Sequence, residues 1–280
     1  MNKVRVFRKI LETVCFCTLS VISLASCSVK ELRDGCPAYV TILTDKFYET
    51  GHTAGKLFFD DEDNGLRSED VEFAPLYGRG YEVPLNRDFA RVSVVSGTDM
   101  ERFDGSKMYV PYGQMAGLVY AYTESFSAKG DLHVVETFPK KQFCLVQFMF
   151  GGSTVAPPKF RWRFRLKADC NALDLFTLQP IAGEYCCVVG PNGKGEWFGV
   201  IPRQLENNLT LEIYVPNSDS EIEGETEYVI DLGKYFQESG FDWESEDLKD
   251  VSVKVDFSAP EMFLEVVPWV HDNTYRDIHW

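Results

Sequence analysis

Residues 160–167 alternate without a break. Phe160, Trp162, Phe164 and Leu166 interleave with Arg161, Arg163, Arg165 and Lys167. Successive side chains of a strand point to opposite faces, so a strand sorts these residues into one aromatic face and one cationic face. A helix, with its period near 3.6, would mix the two sets. The stretch therefore demands a sheet, and an aromatic face on a sheet demands a second layer to cover it. Phe143 to Phe150 is apolar at nearly every position and predicts a central core strand of the same body.

The rest of the chain repeats the theme in shorter pieces. Tyr39–Thr44, Lys56–Phe59, Val71–Tyr77, Tyr81–Leu85, Arg91–Val95 and Leu118–Tyr122 read as strands punctuated by Gly, Pro and Asn. A second set opens near Leu132. Tyr185–Val189 and Glu196–Ile201 flank Pro191-Asn192-Gly193-Lys194-Gly195, a hairpin signal. Leu209–Val215 is a further strand, and Asn217–Glu227 reads as an acidic loop. Gly233–Ser239, stopped by Gly240, reads as a short helical turn. Val251–Phe257 and Met262–Val266 are expected to pair as an antiparallel hairpin. Short strands at this spacing, with no sustained helical period, predict an all-β protein of sandwich type.

The N-terminus carries a different signal. Lys3, Arg5, Arg8 and Lys9 precede an apolar stretch from Val14 to Leu24, too short for a bilayer-spanning helix. Leu24-Ala25-Ser26-Cys27 closes it and resembles the lipobox of bacterial lipoproteins. That resemblance implies cleavage after Ser26 and lipidation of Cys27, with palmitate-type acyl chains holding the mature protein on a membrane without crossing it. Ser28 follows the cysteine in place of the aspartate that retains lipoproteins at the inner membrane, which favours the outer membrane. Residues 1–26 are then a signal peptide and residues 27–35 a tether. Two strand sets follow, 36–130 and 131–280.

Charge narrows the partners. The net charge is −15, and removal of residues 1–26, with four basic residues and Glu12, leaves 24 − 42 = −18. Such a balance argues against nucleic acid, which needs a basic face. Against this background the stripe Arg161, Arg163, Arg165, Lys167 is a candidate docking edge for an acidic partner or lipid headgroups. Its alternatives are the solvated face of an antiparallel strand and charges that guard an edge.

Signatures of catalysis are missing from the sequence. It has no Gly-x-Ser-x-Gly, no His-Glu-x-x-His and no dinucleotide fingerprint. His52, His133, His271 and His279 are scattered, and no Cys or His pair has metal-ligand spacing. Asp60-Asp61-Glu62-Asp63-Asn64-Gly65 lacks the positions of an EF-hand loop and reads as a solvated turn. Cys36, Cys144, Cys170, Cys186 and Cys187 remain after Cys27, an odd number, and read as small buried hydrophobes. The expectation is no enzyme, no cofactor and no metal.

Several blocks near the C-terminus carry a family pattern. They are Ile230-Asp231-Leu232-Gly233-Lys234-Tyr235, Ser239-Gly240-Phe241-Asp242-Trp243, Asp247-Leu248-Lys249-Asp250-Val251, Val255-Asp256-Phe257 and Trp269. With the lipobox and Cys36-Pro37 before the first strand, the chain resembles the fimbrillin-associated anchor lipoproteins of Bacteroidales, minor base subunits of type V pili. The resemblance implies two tandem transthyretin-like β-sandwiches and no catalysis. It implies an outer-membrane, surface-exposed lipoprotein that tethers a fimbrium, limits its length and supports cell adhesion. Its partner would be a pilin subunit, joined by strand addition, with the chain otherwise monomeric. The alternative is a surface glycan-binding lipoprotein using Trp162, Trp197, Trp243, Trp269 and Trp280 as stacking platforms.

Overall fold

The computed structural model describes residues 36–61, 64–87, 89–98, 101–130, 132–150, 162–192, 196–256 and 263–268. Cys27, Arg161, Phe160, Trp269 and Trp280 lie outside them. The protein is all-β. No helix among the described residues is long and apolar enough to cross a membrane.

The first group of strands makes two layers. Strands β1 (Ala38–Leu43), β4 (Tyr81–Leu85) and β9 (Leu132–Glu136) form a sheet in the order β4-β1-β9, with β1 antiparallel to β4 and parallel to β9. Strands β2 (Ala54–Asp61), β3 (Gly65–Glu72), β5 (Phe89–Ser96), β8 (Tyr120–Ser127) and β10 (Lys140–Lys141) form a second sheet, β10-β8-β5-β2-β3. Val40 and Ile42 of β1 meet Leu57, Phe59, Val92 and Val94 between the layers. Alternation explains the geometry, because the intervening Phe58 and Val95 point to the other face of their sheet.

That other face is also covered. Strands β6 (Arg102–Asp104) and β7 (Lys107–Tyr109) form a small hairpin, and β7 pairs with the end of β12 (Arg163–Asp174). Met108, Leu173, Leu175 and Phe176 close over Phe58, Val95 and Ala121. Sheet membership therefore crosses chain order twice. Residues 107–109 join the later sheet, while residues 132–136 join the earliest one.

The later strands are longer. They are β11 (Phe143–Phe150), β12, β13 (Pro180–Pro191), β14 (Trp197–Pro202), β15 (Thr210–Asn217), β16 (Ser220–Asp231), β17 (Val251–Asp256) and β18 (Phe263–Pro268), in the order β16-β15-β12-β13-β14-β11-β17-β18. Strand β13 pairs with β12 along most of its length but with β14 only at Gly190 and Pro191. The sheet turns there and its two wings face each other. Phe150 of one wing stacks on Phe164 of the other at 4.5 Å. Gly199 permits this approach: a Cβ there would lie 2.4 Å from Leu166 Cδ1. The central position expected for Phe143–Phe150 holds, between β14 and β17. The hairpins expected at 185–201 and 251–266 both pair as antiparallel strands.

Two expectations need correction. Val71–Tyr77 is not one strand: β3 ends at Glu72 and Ala74–Leu76 is a 3-10 turn. Pro75 within it has no N–H to give a ladder. The acidic stretch Asn217–Glu227 is not a loop, because most of it belongs to β16, paired with β15. A short helix, α1 (Asp45–Glu49), follows β1 and seats Phe47 fully in the core. The second helix, α2 (Leu232–Glu238), lies where the helical turn was expected, and Asp231 caps it by accepting the Lys234 N–H.

Candidate functional site

The cationic stripe is divided by the structure. Arg161 lies outside the described residues. Arg163 is exposed and donates to the Trp162 carbonyl at 3.1 Å. Arg165 is buried. It donates to Glu212 at 2.5 Å, to the Ile222 carbonyl at 2.6 Å and to Thr226 Oγ1 at 2.9 Å, over the Tyr214 ring. Lys167 reaches Glu212 at 3.1 Å. Burial alone would raise the Glu212 carboxyl, but hydrogen bonds from Arg165 and Lys167 outweigh it and hold the group below its usual range. Two of the four cations are thus spent inside the molecule. Arg165 is a clamp that fastens β16 onto β15, and Arg163 is what the stripe leaves facing outward among its described members.

The remaining chemistry-bearing groups are placed for packing. His52 Nδ1 lies 2.9 Å from Ser96 Oγ, but Ser96 is buried. Burial lowers the His52 pKa, and its ring packs on Phe47 and Tyr120. His133 stacks on Phe126 at 4.1 Å. Cys144, Cys170, Cys186 and Cys187 are buried thiols, with burial pushing Cys187 up to about 12. No group of metal-ligating side chains occurs among the described residues. Asp60 and Asp61 are taken up by Arg91 and Arg67, so the acidic turn is internally paired at these positions. Trp162, Trp197 and Trp243 are buried and offer no sugar platform.

An open cleft of about 490 Å³ lies beside α1, lined by Tyr48, Glu49, Gly51, His52, Thr53 and Tyr77. Tyr48 and Tyr77 are both exposed, with ring centroids 5.5 Å apart, and the Tyr77 hydroxyl donates to Glu49 at 3.4 Å. No sequence pattern singles it out, because its residues come from two separate turns.

The strand order leaves β4, β9, β10, β3, β16 and β18 at the ends of their sheets among the described residues. Strand β1 is not one of them: it is bonded on both sides, by β4 and β9. The same β-architecture occurs in solved structures. The fimbrial anchor protein Mfa2 from Porphyromonas gingivalis matches with a TM-score of 0.56 and 12% identity, over 84% of this chain and 98% of that one. The fold is shared with a fimbrial anchor. A candidate adhesin from Bacteroides ovatus matches at 0.56 and 11%, over 84% and 95%. A candidate polysaccharide-binding protein from Bacteroides thetaiotaomicron matches at 0.53 and 12%, over 85% and 99%. No protein-family model matches the sequence, and no curated protein is similar to it at a significant level.

Proposed function

We propose that the chain is a non-catalytic outer-membrane lipoprotein of the fimbrillin-associated anchor family, which tethers a type V pilus through lipid on Cys27 and limits its length. One observation carries this reading. The first strand after the lipobox, β1, is the central strand of its sheet. It begins at Ala38, eleven residues beyond Cys27 (38 − 27). That tether spans at most roughly 35–40 Å when extended. A pull on the lipid is therefore delivered into a strand hydrogen-bonded along both edges. The fold shared with Mfa2 supports the assignment, and so does a sequence without nucleophile, metal or dinucleotide motifs. The chain takes the terminal position, because its first strand cannot leave the sheet while the lipid holds it.

Cys27→Ala tests the anchor. The variant is expected to lose labelling by radioactive palmitate and to appear in the medium or as precursor. Fimbriae on those cells are expected to be shed and longer. Retained palmitate label, or fimbriae unchanged in number and length, would overturn the reading.

A second reading, glycan binding, is favoured by the Tyr48–Tyr77 cleft, since exposed rings beside a carboxylate suit a sugar's apolar face and hydroxyls. Tyr77→Ala should abolish any glycan-induced rise in melting temperature. Absence of such a rise with a panel of surface polysaccharides would remove this reading.

A further inference from the structure

Sheet edges expose unpaired backbone groups, and proteins blunt them with charge, proline, brevity or a cover. Among the described residues, the edges of this molecule differ in how far they are blunted. Strand β4 carries Pro84, which has no N–H, and its carbonyl accepts from Arg67 at 3.3 Å. Strand β3 exposes Glu69, Asp70 and Glu72, and β16 exposes Glu221, Glu223, Glu225 and Glu227. Strands β6 and β10 are three and two residues long. Strand β18 carries Glu265, paired with Lys254, and ends at Pro268.

Strand β9 is the least guarded of these edges, with a single carboxylate, Glu136, at its end. It contains no proline, lysine or arginine, and it exposes Leu132 at 64% and Val134 at 47%. Tyr39, opposite Leu132 in register, is 53% exposed, so the apolar surface continues onto β1. Val135 turns inward and is fully buried, and His133 stacks on Phe126, so the strand is fixed in register. Carboxylates border the edge: Glu136 on β9 itself, and Glu124 beside His133.

We propose that the outer edge of β9 receives an extended strand of the partner pilin, apolar at alternate positions and basic beside them, as a fourth strand of the sheet β4-β1-β9. The inference rests on the anchor reading and adds the place of docking. Main-chain bonds along the edge supply the affinity in such augmentation, and alternate side chains supply the selectivity. Charge selects the partner over a second copy. A second copy would bring another acidic chain, of net charge −18 once residues 1–26 are removed, against an edge already bordered by carboxylates.

The test uses the full-length chain in its own fimbriated cells. A photo-crosslinking residue is placed at Val134 or, for comparison, at Val229 on β16, which is 64% exposed. Adducts are identified by mass spectrometry. Pilin is expected at position 134 and not at 229. The double variant Leu132→Lys with Val134→Lys should lower retained pilin about tenfold or more, because charge now opposes charge at a desolvating edge. Val229→Lys should not lower it. Melting of each purified variant reports folding, and if the double variant is unfolded the crosslinking arm decides. Pilin captured at 229 but not at 134, or capture only of a second copy at 134, would overturn the docking edge while the anchor reading stands. Fimbriae that stay attached at normal length in cells lacking the chain, with no pilin adduct at either position, would overturn both.

Discussion

Two buried ion pairs hold different parts of this molecule, and their carboxylates shift in opposite directions although burial raises both. Lys141 and Asp250 lie 2.6 Å apart, with side chains 6% and 7% exposed, where β10 leaves the first strand group and β17 begins. Arg165 and Glu212 lie across β12 and β15, with Lys167 on the same carboxylate. Burial dominates at Asp250 and raises its pKa, with Asp247 adding to the rise against Lys141 and the Leu145 N–H. At Glu212 the two cations overcome burial and the pKa falls. A short ion pair is therefore not by itself a stabilising one. Desolvation and the number of cations decide the sign.

The largest effect should come from splitting the more buried pair. Asp250→Ala leaves Lys141 charged in the interior and takes an acceptor from the Leu145 N–H, which Asp250 Oδ1 holds at 2.7 Å. Loss of one partner of such a pair costs about 3–5 kcal/mol. Urea denaturation should show that loss, while the double change Lys141→Met with Asp250→Leu should recover most of it. A double variant as unstable as the single one would show that the pair contributes net stability, and the contrast between the two sites would vanish.

Glu212→Gln should cost less, about 1.5–3 kcal/mol, the usual range for a hydrogen bond to a charged group. Arg165 keeps its bonds to the Ile222 carbonyl and Thr226, and the glutamine oxygen can still accept from it, so its donors are not left unpaired. Hydrogen exchange should nonetheless quicken along β16, which Arg165 clamps. Unchanged exchange there would mean that the β15–β16 ladder holds without the clamp.

Neither pair is visible in the sequence, although much of the fold is. Strict alternation marks β12, and an unbroken apolar run marks β11, because both patterns are local. The partners of Arg165 and Lys141 lie 47 and 109 residues away, so only the strand register brings them together. That is why Arg165 reads as part of a docking stripe and proves to be a clamp. Strand β16 is hidden for a related reason. Its glutamates at 221, 223, 225 and 227 look like solvated loop, yet they alternate with Ile222, Gly224, Thr226 and Tyr228, which is the period of a strand. Hairpin β6–β7 is too short to show a period at all, and only its partner β12 makes it a strand. The exposed edge of β9 cannot be read either, since local pattern does not say which strand is outermost.

The pH dependence of stability separates the two sites again, with a smaller effect, since a tenfold difference in proton affinity between the folded and unfolded chain corresponds to about 1.4 kcal/mol. Glu212 has a folded pKa below its ordinary 4.5. Its contribution is present above that value and is lost as pH falls through the folded pKa. Asp250 has a folded pKa above its ordinary 3.8, so its contribution is greatest below that value and is lost as pH rises through the folded pKa. Stability measured against pH should therefore diverge. Wild type should gain on Glu212→Gln as pH rises towards about 4.5 and lose ground to the Lys141→Met, Asp250→Leu variant as it rises past 3.8. Parallel curves would mean that the two carboxylates share one environment.

The smallest effect is expected at a third pair, which sets the zero of the scale. Lys46 and Glu49 meet at 2.7 Å on α1, about as close as the two buried pairs, but their side chains are 54% and 42% exposed. The contact raises the Lys46 pKa and lowers that of Glu49, each chiefly through their hydrogen bond. Water and salt screen such a pair, and holding two long side chains in one geometry costs entropy. Lys46→Ala should leave the denaturation midpoint where it is, at low and at high salt. The core seat of α1 depends instead on Phe47, which is fully buried against Phe73 and His52. If Lys46→Ala lowered the midpoint as far as Glu212→Gln, exposure would not be what ranks these pairs, and distance alone would have to replace it.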